Sequence, residues 1–400
     1  MILCYISHRF EVPMKRRFTY GVAAALALSA AVTLFAQTPS GGAQTPTGGA
    51  QTPAGGAQAP VIGPGGVVLT PAAARLLPKA LEKAPDIKYE VVRDFLKLPP
   101  NVYMGEGIGV ASNSKGHIFV NTCAQQTRNF EFDQNGKFIR EIGKDSYGNV
   151  FCHGIRVDAE DNIWVIDEGA NSIIKYNPQG RAIMILGRRI GFPYNGMEPA
   201  VKELNPAPPY IFNRPTDVAW DAAGNIFVAD GYVNSRIAKY DKYGKFIKQV
   251  GSRGSGPGQF SLLHAIAVDA QGNVYGGSRS DQRIVVFDND LNYKTVFDHV
   301  GAPWSLCITP GPGHQYLYTS NSNPDNQDTE LHKASGQIFK MELDGTVLGK
   351  FGVPGKEQGQ FSTVHGIDCR VPNEILTTEI VEWRLQKFIL HPTAAQGGTK

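Results

Sequence analysis

The sequence predicts an all-β protein, a six-bladed β-propeller, and three observations lead there. A unit of about 35–50 residues recurs six times, the signature of a ring or array built from one supersecondary element. Within each copy, short stretches alternate apolar and polar residues at period two and are punctuated by Asp, Asn and Gly. With 45 Gly and 26 Pro beside 42% hydrophobic residues, the 400-residue chain can supply many turns and still fill a core.

Taken in order, the chain opens with a segment outside the repeats. Lys15, Arg16 and Arg17 precede an apolar run from Phe18 to Ala36, which reads as a secretory signal peptide over residues 1–36. Met14 is an alternative start. An exported protein, periplasmic or secreted, is expected from this, with no membrane association after cleavage; a retained membrane anchor is the alternative. Residues 37–87 form a low-complexity linker and lead-in; its repeats AQTPSGG, AQTPTGG and AQTPAGG, which start at Ala36, have almost nothing to bury and read as a tether. The propeller is expected over 88–400.

The copies start at Gly107, His153, Pro215, His264, Pro303 and His365. PTDVAWDAAGNIFVADGYVNSRIAKYDKYGKFIKQVG, from Pro215 to Gly251, shows the pattern best: strand, turn, strand, turn, strand, turn, strand. Four short antiparallel strands per copy make a propeller blade. The last copy lacks an outer strand, and Tyr89–Leu98 (YEVVRDFLKL) is strand-like with no other home. Pairing that segment onto the last blade would close the ring and leave no open edge. Asp158, Asp221 and Asp269 end first strands beside turns and are expected to cap them. The Gly-rich stretches at Gly251 and Gly352 join strand to strand, so they are inter-blade loops and not phosphate cradles.

Charge narrows the function. The net charge is +3, and residues 1–60 hold four basic residues and one acidic residue, which leaves 35 of each sign in the rest. No basic footprint for nucleic acid remains. Cys123, Cys152, Cys307 and Cys369 follow the expected cleavage site without CxxC spacing, which excludes a zinc ribbon. An exported protein permits disulfides and free thiols alike, so the sequence assigns no pairing.

Three of nine histidines repay attention. His153, His264 and His365 open the first strands of blades two, four and six. First strands line a propeller's central channel, so these side chains fall on one ring about 120° apart. Three imidazoles converging in this way suit Zn²⁺, with positions left open for water or substrate. A lone histidine there would be read as a channel hydrogen-bonding group, and the threefold recurrence is what selects a metal. His117, His299, His314, His332 and His391 fall at turns or strand ends and are expected at the surface.

From Gly107 to Pro392 the copies resemble the NHL repeat. Within that group, FNRPTDVAWDAAGNIFVADGYVNSRI (Phe212–Ile237), GSGPGQFSLLHAIAVD and the HGI segments are similar to the peptidyl-α-hydroxyglycine α-amidating lyase family. The resemblance implies zinc on His153, His264 and His365, a catalytic tyrosine at Tyr232 in DGYVNSR, and a substrate-binding arginine at Arg279 in GGSRSDQR. It implies cleavage of a carbinolamide C–N bond to give an amide and glyoxylate. A tyrosine near a metal and a cation can act as general base, and an arginine can hold a carboxylate bidentately.

The departures are specific. Gly366 stands where the family has an aspartate that helps bind structural Ca²⁺, with Asp368 two residues on, so calcium is not expected to transfer. A family arginine in the first blade aligns near Thr122, with Arg128 close by. Asn213, Val233, Tyr275 and Val286 occupy the family's disulfide positions. The monooxygenase domain that makes the lyase's substrate has no counterpart here. Glu168 and Glu379 follow second strands and can reach the channel rim. The expected partner is a small-molecule or peptide substrate in the channel. A non-catalytic propeller binding a protein or glycan partner on one face is the rival reading, and a metal-dependent lactonase or other hydrolase is a third.

Overall fold

The computed structural model describes residues 83–123, 126–144, 149–187, 206–322 and 335–397. The expected signal peptide and nearly all of the expected tether lie outside the described residues, as does His332.

Among the described residues, six four-stranded antiparallel sheets are formed. Their inner strands are Glu106–Ser112, Cys152–Val157, Asp217–Trp220, Leu263–Val268, Pro303–Ile308 and Val364–Asp368, in blades 1 to 6. Consecutive inner strands touch around the ring, including blade 6 against blade 1. In blade 3, Ile226–Asp230 and Arg236–Tyr240 are wholly buried, while the outer strand Phe246–Val250 is buried on neither face. The same gradient from a dry centre to a wet rim recurs in blade 4, where Val274–Ser278 and Arg283–Phe287 are buried and Tyr293–Phe297 is largely exposed.

The turns form as their residues dictate. Asp221 Oδ1 accepts from the amides of Ala223 (3.0 Å) and Asn225 (2.9 Å), and Asp269 and Asp158 cap the equivalent turns of blades 4 and 2. The left-handed position belongs to Gly224 and Gly272 in blades 3 and 4. Blade 2 has Asp161 there, at φ 61°, one of the few residues besides glycine that tolerate this region. The two Gly-rich loops end in Phe260 and Phe361, both fully buried between blades. Phe260 packs with Phe227, Leu263 and Phe287 in one inter-blade core.

Blade 6 takes its outer strand from the N-terminal side of the domain. Lys88–Val92 pairs antiparallel with Arg384–His391, Tyr89 opposite Leu390. The strand is shorter than the expected Tyr89–Leu98, because Asp94 adopts a left-handed φ of 48° and turns the chain away. It then crosses to blade 1, where the Lys97 amide donates to Gly136 O at 2.7 Å. The four cysteines among the described residues are paired: Cys123–Cys152 ties blade 1 to blade 2, and Cys307–Cys369 ties blade 5 to blade 6.

Candidate metal centre

Each of the three channel histidines sits on a β-bulge. Pairing between the first two strands shifts between Cys152 and Gly154, between Leu263 and Ala265, and between Val364 and Gly366. The extra residue in each case is the histidine. A bulge re-aims a side chain out of the pleat, here toward the axis. Small neighbours permit it: the inner strands of blades 1 and 2 approach so closely that a side chain on Gly109 would meet the Ile155 amide nitrogen at 2.6 Å.

The rings form a nearly equilateral triangle, with centroids 4.7 Å (His153–His264), 4.7 Å (His264–His365) and 4.9 Å (His153–His365) apart. Their ligand nitrogens lie within 4.8 Å of one another, and all three residues are buried. Each ring is oriented by the next blade. His153 Nδ1 is 2.6 Å from Thr216 O, His264 Nδ1 is 2.6 Å from Trp304 O, and His365 Nδ1 is 2.8 Å from Ile108 O. A carbonyl can only accept, so each Nδ1 carries the proton and each Nε2 presents a lone pair. Metal-ligating histidines are ordinarily oriented in this way. His264 Nε2 is buried with no partner among the described residues. Burial drives all three pKa values down, to about 4 for His365, helped by the charge of Arg279 and, for His153 and His264, by repulsion from the other histidines. The donor set is therefore neutral at ordinary pH and fits a zinc ion.

Above the triad lie the two expected catalytic side chains. Tyr232 Oη is 3.2 Å from His153 Nε2, and its ring meets His153 edge-on at 5.2 Å. The Arg279 guanidinium lies 3.9 Å over the Trp304 ring and 5.9 Å from the Tyr232 ring. No carboxylate pairs with Arg279 among the described residues. Trp304 is central: its carbonyl orients His264, its ring packs on His264 and His365, and its face carries Arg279. A second guanidinium, Arg214, stacks 4.4 Å from the Tyr232 ring and donates to Glu168 Oε1 at 2.6 Å.

Other expectations sort clearly. Arg128 is committed to Glu141 through two hydrogen bonds of 3.0 and 2.8 Å, and is no substitute for a channel arginine. Glu379 does not face the channel; Arg384, Gln386 and the Ser362 amide hold it in a buried network. His117 and His314 pair with Glu131 and Glu342 toward the surface. The residues around Gly366 do not fit calcium. A side chain there would run into the Thr378 hydroxyl, Asp368 Oδ1 accepts from the Arg370 amide at 2.8 Å, and the Arg156 guanidinium pairs with Asp217 along this wall. Arg214 and Trp304 went unremarked in the sequence. Their signal is positional, since both neighbour the start of an inner strand, Arg214 in FNRPTD and Trp304 in APWSL.

The fold and site define a six-bladed β-propeller whose channel carries a histidine triad. A family described as "6-bladed beta-propeller" matches residues 212–348. Homologues share modest identity with the chain. Peptidylglycine alpha-amidating monooxygenase of Rattus norvegicus is 33% identical over 223 residues, which cover 52% of this chain and 21% of that protein. The probable peptidyl-alpha-hydroxyglycine alpha-amidating lyase of Caenorhabditis elegans is 27% identical over 273 residues, covering 61% and 74%. NHL repeat-containing protein 3 of Mus musculus is 26% identical over 233 residues, covering 54% and 61%. The chain thus spans about a fifth of the length of the amidating monooxygenases it matches. A solved virginiamycin B lyase from Staphylococcus aureus superposes with a TM-score of 0.51 at 13% identity, covering 76% of this chain and all of that one, a likeness of fold alone.

Proposed function

We propose that the protein is an exported, zinc-dependent lyase that cleaves the C–N bond of a carbinolamide bearing a carboxylate, a peptidyl-α-hydroxyglycine or a close analogue. The observation that carries this reading is the conjunction of three Nε2 lone pairs facing one another, a tyrosine hydroxyl 3.2 Å from one of them, and a buttressed arginine without a carboxylate partner among the described residues. The homologues named as amidating lyases support the same reading.

His153, His264 and His365 hold the metal, which when bound supplies Lewis acidity toward a substrate oxygen. Arg279 binds the substrate carboxylate, and Trp304 keeps its guanidinium flat and aimed. Tyr232 takes the proton of the carbinol hydroxyl. As the C–O bond becomes a carbonyl, the C–N electron pair leaves with the amide nitrogen, which takes up the proton that Tyr232 removed. The products are a primary amide and glyoxylate, with no change in oxidation state overall.

The test is metal analysis and turnover on one preparation. About one zinc per chain, lost in the His153/His264/His365→Ala triple variant, together with glyoxylate release from α-hydroxyhippurate, is the expected result. Zinc in neither protein, even after zinc is added back, overturns the reading and leaves a binding propeller.

A further inference from the structure

Glu168 follows the second strand of blade 2, and only 4% of its side-chain surface is exposed. Its two oxygens differ. Oε1 accepts from Arg214 Nη2 at 2.6 Å, whereas Oε2 is buried with no hydrogen-bond partner among the described residues. Oε2 lies 3.8 Å from His153 Nε2, the nitrogen that Tyr232 Oη approaches at 3.2 Å. Glu168 is not one of the three residues whose ligand atoms cluster within 4.8 Å, so it stands beside the triad and not within it.

A buried carboxylate oxygen without a donor bears its full desolvation cost. Here that cost is enforced, since Arg214 fixes the carboxylate. The Arg214 backbone is left-handed at φ 59°, its amide donates to Asn171 Oδ1 at 2.7 Å, and its guanidinium lies against Tyr232. An over-determined rotamer with one oxygen left facing the site is what a binding group requires.

We propose that in the bound state, before its proton passes to Tyr232, the substrate hydroxyl donates a hydrogen bond to Glu168 Oε2, so that Glu168 and Arg279 together select carboxylates with a hydroxyl on the adjacent carbon. Arg214 is the positioning residue. The inference rests on the carboxylate-binding role of Arg279 proposed above. It assigns hydroxyl selectivity to a side chain, independently of any metal.

The test uses two stable acids that the chain cannot cleave at a C–N bond, mandelate and its deoxy counterpart phenylacetate, titrated calorimetrically into the full chain. Wild type should bind mandelate about tenfold or more tightly, the scale of one hydrogen bond to a charged acceptor. In Glu168→Gln the amide oxygen turns to Arg214 and the NH₂ faces the site, so the preference should fall toward unity while phenylacetate binding holds. Glu168→Asp, which withdraws the carboxylate by one methylene, should do the same if the glutamine variant folds poorly. An unchanged preference in both variants, or equal weakening of both acids, overturns the proposal. Equal binding by wild type removes only the role of Glu168, whereas binding of neither acid removes the Arg279 reading with it.

Discussion

Tyr232 meets His153 at a single atom: its hydroxyl lies 3.2 Å from Nε2, the lone-pair nitrogen left when Nδ1 donates to Thr216 O. The contact brings the candidate base to the nitrogen that a metal would claim. With that nitrogen engaged by a metal, the hydroxyl would be released to face a substrate bound on the open side. Tyr232→Phe keeps the ring that Arg214 stacks on and removes only this oxygen. The expected outcome is a metal content like wild type and a fall in kcat of about a hundredfold or more, the usual range for a general acid–base group. Retained activity would assign the proton to another acceptor.

Metal binding should be visible as stability. The ligand nitrogens are held ready by three carbonyls on three different blades, and an ion that binds only the folded form adds to its stability by mass action. At zinc a thousandfold above its dissociation constant the gain is about 4 kcal/mol. Denaturant midpoints with zinc and with a chelator measure it. His264→Ala should abolish the difference, and a difference that survives in this variant would locate the ion elsewhere.

Without metal, the triad should make the protein acid-sensitive. Burial holds His365 at about 4, against 6.5 in a solvated chain, and depresses His153 and His264 in the same direction. Between those values the unfolded chain binds protons that the folded chain refuses, so stability falls as pH drops from about 6.5 to 4. One histidine shifted by this amount costs about 3 kcal/mol by the bottom of the window. His365→Asn, studied in chelator, should flatten the decline between pH 6.5 and 4, and an unaltered slope would mean that this imidazole is solvated.

How much of this was legible depends on what the repeat encodes. The triad could be read because the repeat aligns His153, His264 and His365 with one another, and equivalent positions in a ring face one axis. The bulges that aim them could not, since a one-residue slip leaves no mark in an alternation of period two. Glu168 was legible as a residue able to reach the channel rim, but its contact with Arg214 was not. The two lie 46 positions apart, and the hydrogen bond between them exists only once blades 2 and 3 are packed. The cysteine pairs are of the same kind: Cys307 and Cys369 are 62 positions apart and become neighbours through blade packing. Arg128 misled by proximity in sequence, because it lies in the third strand of blade 1, paired with Glu141 of the outer strand.

Arg279 offers the sharpest separation of binding from chemistry. Its guanidinium is stacked on Trp304 at 3.9 Å, which leaves the N–H edge for a planar, two-pronged partner such as a carboxylate. Lysine in this place keeps the charge and loses both the stack and the paired donors. Arg279→Lys should therefore raise KM for α-hydroxyhippurate by about tenfold or more, with zinc content unchanged, because the hydrogen bonds lost are to a charged group. Trp304→Leu, which removes the platform but not the carbonyl that orients His264, should shift KM in the same direction. If both variants instead lower kcat at constant KM, Arg279 acts on the reacting bond and the carboxylate is bound by another residue.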